Sequence, residues 1–407
     1  MSSVDAPGTG LTPVPVDGVD VTAGVTAPAG FRAAGIAAGI KEDGRDLALV
    51  VNDGPSLAAA GVFTRNAVKA APVLWSRQVL RERRLRAVVL NSGCANAATG
   101  PLGFQDTHAT AEKVAEVLDT GAIEVAVCST GLIGERLPMD AVLGGIVRCA
   151  GELSAGQHAA YEAADAVRTT DGKPKQAALR HSAGWTIGGF AKGAGMLAPN
   201  MATMLSVITT DAKLDGDVLD SALRTASGAT FERLDVDGGT STNDTVLLLS
   251  SGASDVVPEA GEFTAALSEV SLSLVRQLQA DAEGATKLVD IVVRGARSEA
   301  DAVQVGRTVA EDNLVKTALF GSDPNWGRVA MAVGRSQAEV DPDRLAVTLN
   351  GVSLLAGGEP VGDRAAADLT GTRVEIVIDL GIGSGTTRIY TTDLSHDYVE
   401  ENSAYSS

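Results

Sequence analysis

The segment GAGMLAPNMATMLS, residues 193–206, places two glycines and an Ala-Pro pair shortly before Ala202 and Thr203. Glycine permits unusual backbone angles and proline restricts the residue in front of it, so the backbone conformation is strongly specified here. The chain then continues as LSVITTDA (205–212), a β-branched run that is typical of a core strand. On residue types alone, a turn that enters a strand at Thr203 is the simpler interpretation.

A second interpretation gives the threonine a chemical role. Threonine becomes an effective nucleophile when its own α-amine acts as the base, and the reference pKa of that amine is ~7.7–8.0. An internal threonine gains this amine if its hydroxyl attacks the preceding carbonyl, the acyl group shifts from nitrogen to oxygen, and water hydrolyses the ester. Bending the peptide bond by ~12° costs about 1 kcal/mol, and Ala202 is small. The sequence therefore carries the hypothesis of self-cleavage between Ala202 and Thr203.

Predicted strands and helices alternate on both sides of this segment, which indicates a layered α/β protein. The predicted strands are 46–53, 61–66, 86–93, 124–131, 373–380 and 387–394. The predicted helices are 104–119, 140–153, 216–234, 263–284 and a further helix over roughly 299–318. Gly284 is predicted to cap the fourth of these helices, and the glycine-rich GIGSGT (381–386) is interpreted as a hairpin turn rather than a phosphate-binding loop.

Composition restricts the class of protein. A chain of 407 residues predicts two or three domains, and 45% apolar residues with 3% aromatic residues predict a core of Ala, Val, Leu and Ile. The net charge of −18 argues against nucleic-acid and anionic membrane partners. Because three cysteines without a C-x-x-C pair suit a reducing compartment, and no signal peptide or membrane span is predicted, we expect a cytoplasmic location.

Other catalytic side chains are poorly supported. The sequence contains no G-x-S-x-G elbow, no G-x-x-x-x-G-K-[ST] loop and no H-E-x-x-H motif. No histidine lies beside a motif that would use it, and the cysteines are interpreted as buried, inert thiols. These residues are His108, His158, His181, His396, Cys94, Cys128 and Cys149.

Ordered segments along nearly the whole chain resemble the glutamate N-acetyltransferase / ornithine acetyltransferase family of arginine biosynthesis. The matching segments are FTRN (63–66), NSGCANAATG (91–100), STGLIGERLP (129–138), TTDGKPK (169–175), KGAGMLAPNMATML (192–205), DGGTSTNDT (237–245), AEGATK (282–287), GSDPNWGR (321–328) and ENSAYSS (401–407). Each segment alone is weak, but their common order makes the resemblance specific.

The resemblance implies a fold, a processing step and a reaction. It implies a layered αββα core around an N-terminal threonine nucleophile, with a smaller α/β C-terminal domain. Cleavage before Thr203 would give an α chain (1–202) and a β chain whose first part (203–290) completes the core, followed by the C-terminal domain (291–407). The acetyl group would pass from N2-acetyl-L-ornithine to Thr203 and then to L-glutamate, in a ping-pong cycle that yields ornithine and N-acetylglutamate.

The resemblance also implies roles for individual residues. Thr130 and Gly131 match the pair that stabilises the oxyanion. The positions that match substrate-binding residues are Thr169, Lys192, Thr203, Glu283, Asn402 and Ser407. The tail departs from many family members near Glu401 and Ser403, which leaves Asn402 in register and weakens the assignment of Ser407. Gly239 stands where an aspartate is frequent.

The expected partners are the two small-molecule substrates and a second copy of the processed chains, giving an α2β2 heterotetramer. No metal or nucleotide cofactor is expected, and acetyl-CoA remains open as an alternative acetyl donor. A related self-cleaving aminopeptidase or amidase, which passes the acyl group to water, is the first alternative. A paralogue that serves another pathway, and a scaffold in which 193–206 is only a turn, also remain open.

Overall fold

The computed structural model describes residues 9–198 and 204–404, and its strands and helices alternate along the chain. The strands are β1 (Phe31–Ile36), β2 (Leu47–Asn52), β3 (Ala59–Phe63), β4 (Ala87–Asn91), β5 (Val125–Ser129), β6 (Lys175–Arg180), β7 (Thr186–Lys192), β8 (Leu205–Thr210), β9 (Thr245–Ser250), β10 (Leu288–Ala296), β11 (Ala346–Leu349), β12 (Val352–Ala356), β13 (Glu359–Pro360), β14 (Arg373–Asp379) and β15 (Gly385–Thr392). The helices are α1 (Ala71–Val79), α2 (Gly100–Leu118), α3 (Met139–Gly151), α4 (Gln157–Ala166), α5 (Gly216–Ala229), α6 (Ala260–Ala280), α7 (Glu299–Ala310), α8 (Asn313–Phe320), α9 (Trp326–Arg335) and α10 (His396–Ala404).

The strands form a four-stranded sheet (β1-β2-β4-β5), a five-stranded sheet (β3-β9-β8-β7-β6) and a six-stranded sheet (β13-β12-β11-β14-β10-β15). The first two sheets pack face to face. Leu205, Val207 and Leu247 of the five-stranded sheet belong to the core shared with the four-stranded sheet, whereas Ile208 and Leu248 face α5 and α6. This alternation is the period-2 pattern of a sheet buried on both faces. With α3 and α4 packed against β1 and β2, the layers confirm the predicted αββα core.

The edge of the four-stranded sheet at β5 is covered by side chains of α1. The indole Nε1 of Trp75 donates to the carbonyl of Val125 across 3.0 Å, and the Ser76 hydroxyl donates to the carbonyl of Val127 across 2.7 Å. The Val127 N–H in turn donates to the Ser76 hydroxyl. Covering an edge in this way satisfies backbone groups that would otherwise be available to another strand. It also anchors β5, the strand that leads into Thr130.

The C-terminal α/β unit is built on the six-stranded sheet, whose apolar face packs with α7, α8 and α9. The predicted boundary at residue 290 falls inside β10, which begins at Leu288. Among the helices of the described residues, none combines the length and the apolarity that crossing a membrane requires.

Three details of the predicted elements are wrong. The helix expected over 299–318 is two helices, because Asp312 caps a new helix by accepting from the N–H groups of Leu314 and Val315. GIGSGT is not a hairpin turn, since β10 lies between β14 and β15 and pairs with both. Gly284 does not cap α6, which ends at Ala280; its positive φ of 60° belongs to the turn that follows, where its backbone meets that of Tyr398.

Candidate active site

The ends of four strands meet where the two facing sheets approach each other. In the five-stranded sheet, Lys192 at the end of β7 pairs with Leu205 of β8, which pairs with Thr245 of β9. In the four-stranded sheet, β5 ends at Ser129 and is followed at once by Thr130. The register places Lys192 beside Leu205, and the contact of Lys192 with Thr130 brings this end of the five-stranded sheet beside the loop that follows β5.

Lys192 joins the two sheets. Its ammonium donates to the Thr169 hydroxyl across 2.9 Å and to the Thr130 hydroxyl across 3.3 Å, and it lies 3.7 Å from a carboxylate oxygen of Asp171. The side chain is only 2% exposed. Burial lowers the pKa of Lys192 below its ordinary value, although Asp171 opposes this shift. The structure thus brings the hydroxyls of Thr130 and Thr169 together at the buried ammonium of Lys192.

Gly131 occupies a position that only glycine fits. Its φ is +129°, and a Cβ there would lie 2.3 Å from the carbonyl carbon of Gly93. The loop that follows β4 causes this crowding, because Cys94 forms a β-bridge with Thr130. The Thr130 N–H donates to the carbonyl of Asn91 across 3.0 Å, which holds the turn in place. A threonine hydroxyl and a glycine N–H on one tight turn are the donor types that an oxyanion requires.

Glu283 and Asn402 form the second charged part of the site. One carboxylate oxygen of Glu283 accepts from the Thr170 hydroxyl across 2.6 Å, and the other accepts from the side-chain amide of Asn402 across 2.9 Å. The Glu283 N–H donates to the carbonyl of Ala194, and a Cβ on Gly195 would lie 2.1 Å from the carboxylate. Glu283 therefore lies directly against the glycine-rich segment, and α10 supplies Asn402 from the C-terminal unit.

Two aspartates accept hydrogen bonds from backbone N–H groups of the 193–206 segment, and neither was singled out from the sequence. The Asp237 carboxylate accepts from the N–H of Met196, which has a positive φ of 55°. The Asp244 carboxylate accepts from the N–H of Met204 across 3.1 Å. Burial raises the pKa of Asp237 and raises that of Asp244 well above its ordinary value. Both lie in DGGTSTNDT, a segment that was matched for its order along the chain and not for these carboxylates.

A further buried set of charges supports the site. Asp171 and Lys175 lie in the matched segment TTDGKPK, and Asp281 immediately precedes AEGATK. The Lys175 ammonium lies 2.6 Å from a carboxylate oxygen of each aspartate. The i,i+4 spacing of Asp171 and Lys175 was visible in the sequence, but the pairing with Asp281 depends on the tertiary fold.

Ala202, Thr203 and Ser407 lie outside the described residues. The cysteines have the environment expected of inert thiols, because burial raises the pKa of Cys94 and raises those of Cys128 and Cys149 to about 12. Over residues 9–198 and 204–404, no three His, Cys, Asp or Glu side chains gather as a potential metal site.

Comparison with known proteins gives the family of the chain. A model described as the ArgJ family matches residues 32–407. The "Arginine biosynthesis bifunctional protein ArgJ" of Mycobacterium tuberculosis (strain ATCC 25618 / H37Rv) is 60% identical over 390 residues, covering 94% of this chain and 96% of the relative. The protein of the same name from Streptomyces coelicolor is 59% identical over 384 residues, covering 94% and 100%. A crystal structure of the M. tuberculosis ornithine acetyltransferase complexed with ornithine is 65% identical, covering 44% of this chain and 97% of that chain with a TM-score of 0.44.

The family model covers most of the chain, and both relatives match it over nearly their full lengths. The segments that suggested the resemblance lie within the matched region. The chain therefore belongs to the ArgJ family.

Proposed function

We propose that this protein is a self-processed acetyltransferase of arginine biosynthesis that moves the acetyl group of N2-acetyl-L-ornithine to L-glutamate. The observation that carries the proposal is the hydrogen bond from the buried ammonium of Lys192 to the hydroxyl of Thr130, beside the constrained Gly131. Membership of the ArgJ family, whose relatives are named as arginine biosynthesis proteins, supports the same activity.

The first half-reaction acylates Thr203. Its α-amine, freed by cleavage after Ala202, removes the hydroxyl proton while Oγ attacks the acetyl carbonyl. The developing alkoxide accepts from the Thr130 hydroxyl and the Gly131 N–H. Because the Lys192 ammonium donates to the Thr130 oxygen, the hydroxyl hydrogen of Thr130 points away from Lys192. The same contact polarises the hydroxyl and makes it a stronger hydrogen-bond donor to the alkoxide. The C–N bond then breaks, the threonine ammonium returns its proton to the leaving amine, and ornithine departs.

The second half-reaction reverses these steps with a different amine. The neutral α-amine of glutamate attacks the acetyl ester and gives a proton to the α-amine of Thr203, while the same donors hold the alkoxide. The C–O bond to Thr203 then breaks, and Oγ takes that proton from the threonine ammonium. N-acetylglutamate leaves and the threonine hydroxyl is restored, so each acetyl group gained is passed on. One site serves both substrates because both are amino acids that react through the α-amine.

The charges of the site suit such substrates. Ornithine carries a side-chain ammonium, and Glu283 presents a carboxylate that is oriented by Thr170 and Asn402. Substrate carboxylates need a cation, and Lys192 supplies one that is almost fully buried. We assign substrate contacts to Thr169, Lys192, Glu283 and Asn402, and extend the assignment to Ser407 from the resemblance.

The two processed chains remain together in one molecule. The core between the facing sheets contains residues from both sides of the cleavage point, such as Phe31 and Leu205, so the chains 1–202 and 203–407 stay associated after cleavage. We infer an α2β2 assembly in the cytoplasm and a cycle that needs no metal or nucleotide; the use of acetyl-CoA as a second acetyl donor is left to the experiment below.

A donor and acceptor screen tests the function. Purified protein is incubated with N2-acetyl-L-ornithine and L-glutamate, and both ornithine and N-acetylglutamate are measured. We expect the two products in equal amounts and no steady release of ornithine when glutamate is omitted. Steady release without glutamate would identify the self-cleaving amidase instead. A parallel reaction with acetyl-CoA and glutamate decides whether the second donor is used.

A further inference from the structure

Lys175, the first residue of β6, is a buried cation that the proposed reaction does not use. Its side chain is fully buried, and its ammonium lies 2.6 Å from Asp171 and 2.6 Å from Asp281, whose side chains are also almost inaccessible. It donates weakly to the carbonyl of Lys173 as well, across 3.4 Å. Even a well-paired set of buried charges is often no more stabilising than apolar side chains of similar volume, so stability alone does not account for this set.

Asp171 holds the part of the site around Lys192. One of its oxygens accepts from the N–H of Gly193 across 2.6 Å, and the other accepts from the N–H of Thr169 across 3.1 Å. The second oxygen also lies 3.7 Å from the ammonium of Lys192, too far for a good hydrogen bond. Burial raises the pKa of the Asp171 carboxyl, but Lys175 and Lys192 outweigh this and hold the pKa below its ordinary value. Asp171 is therefore a carboxylate with two cations beside it.

Asp281 holds the part of the site around Glu283. The oxygen that faces Lys175 also accepts from the N–H of Gly172 across 3.0 Å. Asp281 directly follows α6, and one alanine separates it from Glu283. The position of Asp281 therefore determines where the turn that carries Glu283 begins. Lys175 thus connects the turn that carries Glu283 to the loop that carries Thr169.

Which lysine pairs with Asp171 determines the hydrogen bonds that Lys192 can make. Because Lys175 is the closer partner of Asp171, the ammonium of Lys192 is left to the hydroxyls of Thr130 and Thr169. Without Lys175, Lys192 would be the nearest cation to an otherwise unpaired buried carboxylate. Attraction between opposite charges is strong in a poorly hydrated interior, so Lys192 would move from the hydroxyls to Asp171.

We propose that Lys175 is a positioning residue, which keeps the Lys192 ammonium on the hydroxyls of Thr130 and Thr169 and fixes it relative to Glu283. The proposal deepens the function proposed above and rests on it. It assigns Lys175 no contact with substrate or with the reacting atoms.

The test compares Lys175→Met with the double variant Asp171→Asn/Lys175→Met. Methionine retains most of the side-chain volume and removes the charge, and we expect kcat/KM to fall roughly 100-fold, mainly through kcat. In the double variant the carboxylate that draws Lys192 away is neutral, and we expect at least a tenfold recovery over Lys175→Met. Lys213→Met is the matched control, because the Lys213 side chain is 59% exposed. All rates are normalised to the folded fraction, measured by thermal unfolding.

A titration provides a readout that does not depend on acetyl transfer. The positive charge of Lys175 lowers the pKa of Lys192, whereas the negative charge of Asp171 raises it. Removing Lys175 therefore removes the first effect and leaves the second. NMR of protein labelled with 13C at lysine Cε should therefore show the Lys192 resonance titrating at higher pH in Lys175→Met. That resonance is assigned by its loss in Lys192→Met.

Two results would overturn the positioning role: an unchanged titration of Lys192 in Lys175→Met, or a double variant with no higher activity per folded molecule than the single variant. Failure of the proposed function is separate, since it would appear as absence of transfer in the unmodified protein while the titration can still shift.

Discussion

The ammonium of Lys192 donates to the hydroxyl of Thr130 across 3.3 Å and so connects the end of β7 to the turn after β5, one from each of the two facing sheets. The contact exists because the sheets approach each other where these strands end. It places a cation behind the hydroxyl that we assign to the oxyanion, which makes Lys192 the most direct target for mutation.

Replacing Lys192 with methionine should remove the polarisation of Thr130 while keeping the buried stem. We expect kcat/KM for the transfer to fall by about 10²–10³, the usual effect of losing an oxyanion donor. Lys213→Met makes the same change at an exposed lysine that pairs with Asp255, and should stay within about twofold of the unmodified protein. Equal activity of the two variants would contradict the role of Lys192.

Gly131→Ala tests the turn itself. An added Cβ would meet the backbone of Gly93 at 2.3 Å, so the turn must move and take the proposed donors with it. We expect transfer to fall by at least 100-fold, as for the loss of an oxyanion donor. Gly134→Ala is the matched control, because Gly134 also has a positive φ, +89°, but no atom lies within 4 Å of its added Cβ. That variant should lose about 1 kcal/mol of stability and little activity; similar activity losses in both would show that strain alone is responsible.

Glu283→Gln should weaken the binding of the cationic donor. The glutamine keeps an acceptor and loses the charge that we assign to the ammonium of ornithine. A hydrogen bond to a charged group contributes about 1.5–3 kcal/mol, so we expect KM for N2-acetyl-L-ornithine to rise roughly 10- to 100-fold. Glu112→Gln on the exposed face of α2 is the control. A fall in kcat with unchanged KM would place Glu283 in the chemistry rather than in binding.

Asp244 should make stability depend on pH. Burial raises the pKa of its carboxyl in the folded chain well above 3.8, so the folded state holds the proton more tightly than the unfolded state. The stabilising contribution is therefore fully present below the unfolded pKa and is lost as the pH rises through the folded pKa. Relative to the aspartate, Asp244→Asn should gain free energy of unfolding as the pH increases from about 4 to 8. Urea unfolding in a Thr203→Ala background measures this difference; a difference that is constant with pH would contradict it.

Local patterns were enough to predict much of the fold. The ends of β4 and β5 could be predicted because each strand is a short apolar run followed by a polar, glycine-containing tail. Thr130 and Lys192 were identified by the family resemblance. The helix break at Asp312 was missed because its cap interrupts an otherwise continuous apolar pattern. The separation of β14 from β15 was missed because β10, which lies between them, is distant in sequence.

The supporting charges could not be predicted from spacing. Lys175 and Asp281 are separated by more than a hundred residues, and only the packing of α6 against β6 brings them together. Asp237 and Asp244 were likewise read as part of a matched segment, because nothing local indicates that their carboxylates meet the N–H groups of Met196 and Met204. Such contacts depend on the tertiary arrangement of the chain.

Self-cleavage between Ala202 and Thr203 creates the nucleophile on which the proposed reaction depends. Intact-mass spectrometry with N-terminal sequencing of the purified protein tests it most directly. We expect two chains whose masses add up to the 41.4 kDa chain plus one water, with the second chain beginning at Thr203, and a single 41.4 kDa chain for Thr203→Ala. A single full-length chain in the unmodified protein, or the same two chains in Thr203→Ala, would contradict the mechanism.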